Sequence, residues 1–352
     1  MPKSIKTGLL LINLGTPKSP APSDVRPYLR EFLMDPRVID LPTLKRWLVV
    51  NLILIRRPKA SGEAYEKVWT DEGSPLLVFS QQLTRKVAAL LPEIDVRLAM
   101  RYGEPSIAST LRAMRDAGVD KLVVFPLYPQ YSSAANGSSL EKVFVEASKL
   151  WNVPEIETIP PFYDHPGFIE ANAAVAAPII ESCNPEKVYF SFHGLPERHV
   201  QKSDESGDHC LKKKDCSLSL CEANRHCYRA QCYETARLLA DRLNIPEEKR
   251  VICFQSRLGR DPWIQPYTDV VTVADAKAGV RRAVMLSPAF VSDCLETLEE
   301  LGMRAVEDWQ AAGGERLDVV PCINADDLWV EALIDIVRQN SKAIADSRVL
   351  SA

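Results

Sequence analysis

A chain of 352 residues is long enough for about two domains, and 46% hydrophobic residues let it bury an ordinary core in each. The formal net charge of −4 argues against a dedicated nucleic-acid binder, which is usually basic. The opening residues Met1–Lys6 do not read as a signal peptide and no apolar run reaches membrane-span length, so a cytoplasmic chain is expected.

Gly8–Leu14 predicts a buried parallel strand, closed by Gly15-Thr16-Pro17. A helix is expected from about Asp24 to Met34, with Ser23 as a candidate N-cap. Leu41–Pro58 is apolar, too short to span a membrane, and flanked by Lys45, Arg46, Arg56, Arg57 and Lys59. From composition alone a core helix is favoured over a membrane-surface helix. Beyond Gly73-Ser74-Pro75, helices and strands alternate. Strands are predicted at Asp95–Met100, Val119–Pro126 and Ile156–Ile159, and again at Val188–Phe192, Val251–Gln255, Arg282–Ser287 and Asp318–Val320. About four β/α units fall in each half. The expected fold class is α/β, two similar doubly wound Rossmann-like domains with parallel sheets and a cleft between them. Their expected bounds are 1–162 and 163–325, followed by a C-terminal helix over 326–346.

In open α/β sheets ligands bind outside the carboxyl ends of the strands. His193 stands where the run Val188–Phe192 stops, before Gly194 and Pro196, and a histidine there can bind a metal or take a proton near neutral pH. On position alone, a histidine that merely bonds loop backbone is an equal reading. Past the strand end near Ser287, Asp293, Glu296 and Glu300 are spaced by three and four, which on an α-helix puts all three on one face. Such a stripe reads either as a solvated face or as a proton or cation path. Asn13–Thr16, Arg101-Tyr102, Tyr128–Ser133 and Gln255–Arg257 place amides, hydroxyls, tyrosines and arginines at other strand tips, a rim suited to a large flat ligand with a few anionic groups. No G-x-G-x-x-G or P-loop motif is present, so a nucleotide enzyme is not expected.

Five of the nine cysteines, Cys210, Cys216, Cys221, Cys227 and Cys232, fall in one polar segment. A cytosolic chain does not ordinarily keep such cysteines as structural disulfides, so a metal site is the favoured reading.

Four blocks resemble the signature blocks of ferrochelatases, in order along nearly the whole chain. They are Leu11–Pro17, Phe125–Ser132, Ser191–Pro196 and Asp293–Glu300. The resemblance implies insertion of Fe2+ into protoporphyrin IX to form protoheme, the last step of haem biosynthesis. It implies His193 as base and metal ligand, Glu296 facing it, and Asp293 and Glu300 behind as a cation or proton relay. It further implies porphyrin contacts at Leu14, Arg56, Tyr65, Ser74, Arg101 and Tyr131, and a lip over the porphyrin near 41–75 whose residues 41–57 give peripheral contact with the inner face of the membrane. Cys294 stands where some relatives have histidine. The cysteines sit in an insertion relative to many members, about 208–232. There the resemblance implies a 2Fe–2S cluster on Cys210, Cys216, Cys221 and Cys227, with Cys232 as alternate ligand and Zn2+ as the alternative metal. The rival functions are a cobalt or nickel chelatase of a related tetrapyrrole pathway and a non-catalytic porphyrin or haem carrier.

Overall fold

The computed structural model describes residues 5–257, 259 and 261–345. Met1–Ser4 of the opening segment, Leu258 in the tip after Gln255, and residue 346 of the expected C-terminal helix lie outside the described residues. The chain divides into two units. One comprises residues 1–128, 133–160 and 330–352, the other 129–132 and 161–329.

All eight expected strands are present: β1 Thr7–Gly15, β2 Asp95–Tyr102, β3 Lys121–Pro126, β4 Glu155–Thr158, β5 Lys187–His193, β6 Arg250–Gln255, β7 Arg282–Leu286 and β8 Arg316–Val319. In the first unit they form a parallel sheet in the order β2-β1-β3-β4, and in the second a parallel sheet in the order β6-β5-β7-β8. In each sheet the unit's first strand takes an inner position, which is why β1 and β5 are near-continuous apolar runs: both of their faces are covered. Leu9, Leu10, Leu11 and Ile12 are fully buried, as are Tyr189, Phe190 and Phe192. Each such side chain contributes roughly 1.5–3 kcal/mol by leaving water. The register pairs His193 with Gln255 at the carboxyl tips of β5 and β6.

Two glycines let strand tips close up. Gly15 adopts φ +113°, and a Cβ there would lie 1.8 Å from the Tyr102 carbonyl oxygen. A Cβ on Gly194 would lie 2.7 Å from the Gln255 carbonyl oxygen, to which the Gly194 N–H donates.

Three expectations need correction. The segment from 41 to 58 is not a core helix. It begins a longer helix, Thr43–Val68, that runs through Pro58. Arg46, Val50, Leu54, Pro58, Tyr65 and Val68 face inward, whereas Leu44, Trp47, Leu48, Leu52 and Ile55 are exposed, Leu44 at 71% and Leu52 at 68%. Composition sees only that the segment is apolar; the spacing of the inward residues, three, four or seven apart, decides which face is covered. No helix among the described residues is long and apolar enough to cross a membrane. Second, the helix after residue 292 is wound as a π-helix over Glu296–Ala305 before returning to α over Val306–Ala311. Third, Asp293 precedes that helix, so three carboxylates do not share one helical face. The first helix also begins earlier than expected, at Pro22, with Ala21 rather than Ser23 as its N-cap residue. The helix Thr268–Lys277, between β6 and β7, carried too weak an apolar period to be anticipated.

Candidate active site and cysteine segment

The tips of β5, β6 and β7 in the second unit assemble the chemistry. His193, half-buried, ends β5, and its Nδ1 lies 2.7 Å from the Gly194 carbonyl oxygen. A carbonyl only accepts, so Nδ1 carries the proton in the neutral ring and Nε2 keeps its lone pair. The Phe290 ring packs against the imidazole with centroids 6.3 Å apart. This local bond is the one the bland reading of His193 foresaw, and it also leaves Nε2 as an available base.

Gln255, at the tip of β6, is almost wholly buried. Its Oε1 accepts from the Ser191 hydroxyl at 2.7 Å, which meets Thr268 Oγ1 at 2.8 Å, and its Nε2 donates to the Glu296 carbonyl at 3.4 Å. The next residue, Ser256, donates its N–H to Glu300 Oε1 at 2.9 Å and its hydroxyl to Glu300 Oε2. Burial raises the Glu300 pKa; the Ser256 hydrogen bond and the His193 charge oppose this, and the Glu296 charge adds to it. Glu300 therefore feels the charges of both His193 and Glu296. The wide π turn carries Glu296 and Glu300 four residues apart at its start, and π-helical turns are common at functional sites.

Asp293 lies elsewhere in this arrangement. Its buried carboxylate accepts from the Thr297 hydroxyl at 2.9 Å, Asn324 Nδ2 at 2.8 Å and the Cys322 N–H at 3.2 Å. These bonds tie the start of the π-helix to the segment after β8. Glu299, also buried, pairs with Arg304 at 2.9 Å.

The residues expected to touch porphyrin divide between the units. Leu14, Arg56, Tyr65, Ser74 and Arg101 are in the first, Tyr131 in the second. Leu14 is half-buried at the tip of β1, where its N–H is held by Asn13 Oδ1 at 2.8 Å. Ser74 lies beside that tip, 2.8 Å from Thr16 Oγ1. Tyr65 packs edge-on against Trp69, and Arg56 is exposed. The Tyr131 N–H donates to Gln231 Oε1 at 2.6 Å, and its ring lies 6.1 Å from that of His226. Arg101 is enclosed: Nη2 bonds Asp35 at 2.6 Å, Nε bonds Ser138 Oγ at 2.6 Å, and its plane covers the Tyr102 ring at 4.4 Å. The sequence offered no sign that Asp35 and Ser138 would meet it.

The cysteine segment is mostly polar, and its leucines, Leu211, Leu218 and Leu220, are not buried. Over 203–227 the only buried residues are Asp204, Cys210, Cys216, Ser217, Asn224 and Cys227. Cys210 and Cys227 are hydrogen-bonding neighbours, both with thiol pKa raised chiefly by burial, and the Cys216 charge reaches both. The Leu211 N–H donates to Cys216 Sγ at 3.2 Å. Cys221 is exposed, with Sγ 3.7 Å from His209 Nε2. Cys232 lies in the following helix, Tyr228–Arg242, fully buried against Tyr228. Among the described residues no group of three or more His, Cys, Asp or Glu is drawn together closely enough to hold a metal ion. The expected four-thiol site is not gathered: Cys210 and Cys227 are paired, Cys216 acts on them through its charge, and Cys221 stands exposed. The donor set fits a thiophilic group, because a segment with no apolar core of its own buries cysteines and little else.

Comparison with known proteins agrees with the fold and with the family that the sequence resembles. The ferrochelatase family model matches residues 6–341. A ferrochelatase of Pseudomonas fluorescens (strain SBW25) is 46% identical over 330 residues, 92% of this chain and 95% of that protein. One from Coxiella burnetii (strain Dugway 5J108-111) is 44% identical over 337 residues, 95% of this chain and 94% of that protein. Among solved structures, SirB from Bacillus subtilis with Fe3+ superposes with a TM-score of 0.55 at 14% identity over 98% of both chains. The sirohydrochlorin chelatase SirB from Bacillus subtilis subspecies spizizenii in complex with cobalt gives 0.54 at 13% identity over 96% of both. At such low identity these two speak to the fold alone.

Proposed function

Because this chain belongs to the ferrochelatase family, a group of haem-biosynthetic lyases that insert Fe2+ into porphyrin, we propose that His193 and Glu296 divide that reaction between them. A free-base porphyrin must lose two pyrrole protons as the metal enters. His193 Nε2, with its partner nitrogen held by the Gly194 carbonyl, ligates Fe2+ on the way in and, once the metal has passed to the ring, takes the pyrrole protons one at a time, each handed on to the glutamates or to water before the next. Glu296 presents the metal from a carboxylate, which holds Fe2+ loosely enough to release it to the ring. Glu300, fixed by Ser256, stands behind it on the same π turn and hands on cations or protons. Bending the macrocycle to expose its nitrogen lone pairs costs on the order of a few kcal/mol, drawn from binding the rest of the ring. Leu14, Ser74 and Tyr65 are assigned to that binding, as are Arg56 and Tyr131. Arg101 is assigned to holding the β2 tip, since its Nε and Nη2 are bound to Ser138 and Asp35. The observation that carries this reading is geometric: Ser256, next to the Gln255 that pairs with His193, holds Glu300 of the π turn that begins at Glu296. The test is anaerobic insertion of Fe2+ into protoporphyrin IX, followed by the loss of free-base fluorescence. Glu296→Gln is expected to reduce kcat by about 10²-fold or more with little change in KM for porphyrin. Undiminished turnover in that variant would remove Glu296 from the mechanism.

Two further assignments rest on the same family. Cys210, Cys216, Cys221 and Cys227 hold a 2Fe–2S cluster, with Zn2+ as the alternative occupant. Such a group, when bound, cross-links the loop and adds a one-electron centre. The exposed side of the helix Thr43–Val68, with Leu44, Leu48, Leu52 and Ile55, is the apolar lip over the porphyrin and the site of peripheral membrane contact. Leu52→Ser with Ile55→Ser is expected to lower the partition coefficient onto anionic vesicles, measured by co-sedimentation, by about a hundredfold or more, since each buried apolar side chain is worth roughly 1.5–3 kcal/mol. Equal sedimentation of variant and parent would exclude this face as the contact.

A further inference from the structure

What holds the four cysteines of the loop in place is visible in its backbone bonding. Asp204 Oδ1 accepts the Ser206 N–H at 3.0 Å, the Ser206 hydroxyl at 2.6 Å and the Gly207 N–H at 3.2 Å. Its Oδ2 accepts the N–H groups of His209 and Cys210, both at 2.8 Å. One carboxylate thus winds residues 204–210 around itself and ends on the amide of Cys210. Asn224, wholly buried, does the same for the other three. Its Oδ1 accepts the Cys221 N–H at 2.7 Å, its Nδ2 donates to the Cys216 carbonyl at 2.9 Å and the Ser219 carbonyl at 2.8 Å, and its own carbonyl accepts the Cys227 N–H at 2.8 Å. Leu211 and Asp215, in left-handed conformations at φ +60° and +58°, turn the chain between the two hubs.

We propose that Asp204 and Asn224 are the positioning residues of the cysteine site, a polar framework that sets Cys210, Cys216, Cys221 and Cys227 as one ligand set and leaves Cys232 outside it. The inference builds on the reading of the loop as a metal holder. Each of the four cysteines is bonded through its main chain to one of the two hubs, whereas Cys232 lies one turn into a helix and packs on Tyr228. A loop without an apolar core cannot otherwise keep buried thiols in register. The hubs also explain the choice of side chains. Asn224 uses both an acceptor and two donors, which aspartate cannot match, and Asp204 uses acceptors only, which asparagine cannot match.

The isosteric exchanges Asp204→Asn and Asn224→Asp test this with little change of volume. Protein purified without oxygen is assayed for iron, zinc and visible absorbance per chain. Metal-free protein is treated with a maleimide and mapped by mass spectrometry. Outer residues that orient ligands typically change metal retention about 10–100-fold, so both variants are expected to lose metal on that scale. Cys232→Ser is expected to keep its metal and colour, and the far-ultraviolet circular dichroism of all three to match the parent. In the metal-free variants Cys210 and Cys227 should label several-fold faster than in the parent. Parent-like metal content and labelling in both exchanges would overturn the framework, and loss of metal in Cys232→Ser would overturn the ligand set. A parent that binds neither iron nor zinc would refute the metal-site reading itself. Labelling alone then decides whether the two hubs position the thiols, faster reaction in the variants supporting it and equal reaction refuting it.

Discussion

His193→Ala lowers the rate of iron insertion by about 10²–10⁴-fold, the range for losing a positioned general base, and leaves porphyrin binding within about threefold of the parent. The reasoning starts from the ring's own hydrogen bond. With Nδ1 donating to the Gly194 carbonyl at 2.7 Å, the neutral imidazole has one tautomer, and its lone pair is on Nε2. Alanine removes that lone pair and leaves the residues assigned to porphyrin binding unchanged. Binding is measured by quenching of protein fluorescence and turnover by the anaerobic assay. A parallel fall in both would mean that His193 shapes the pocket. Retained turnover would give the proton to another group. His193→Gln separates the cases further, because an amide can accept a hydrogen bond and cannot take a proton at neutral pH.

Asp35→Ala destabilises the first unit by about 3–5 kcal/mol, the cost of leaving a buried charge without its partner. Asp35 accepts from Arg101 Nη2 at 2.6 Å, from the Tyr102 hydroxyl at 2.8 Å, from the Ser138 hydroxyl at 2.5 Å and from the Arg37 N–H at 2.7 Å. Burial disfavours its ionised form, and the Ser138, Arg37 and Tyr102 hydrogen bonds with the Arg101 charge outweigh that, holding its carboxyl below the ordinary value of 3.8. A carboxyl that ionises more readily folded than unfolded adds stability above its unfolded pKa and loses it as pH falls through the lower folded value. Urea midpoints at neutral pH should therefore drop sharply in Asp35→Ala, and the difference from the parent should narrow at the acid end. Adding Arg101→Met should recover part of the loss, since the orphaned guanidinium goes with it. A midpoint that barely moves, or a double variant worse than the sum of the singles, would show that Arg101 is satisfied some other way.

How far the molecule can be read from its residues differs from element to element. The inner strands were legible because parallel strands covered on both faces must be apolar throughout, and edge strands such as Glu155–Thr158 because glycine or proline marks nearly every tip. His193 was legible for the same reason, since a polar residue ending such a run points at the crevice side. The acid stripe was only half legible. A spacing of three and four assumes an α-helix, and the π winding at Glu296–Ala305 with Asp293 outside it has no periodic signal. The helix Thr43–Val68 was misjudged because an apolar segment looks the same whether its second face is covered or bare. The partners of Arg101 left no local sign, because Asp35 and Ser138 are 66 and 37 residues away.

The order of residues by itself determined the family, the α/β class and the strand tips that carry His193 and Gln255, because burial and backbone geometry are local demands that leave a local trace. Only the tertiary structure decided which polar groups are spent on holding the protein together: Asp293 on Cys322 and Asn324, Arg101 on Asp35, Asn224 on three cysteines. A hydrogen bond constrains two groups in space and says nothing of their separation in the chain, so no pattern along the sequence could have told a bound carboxylate from a free one.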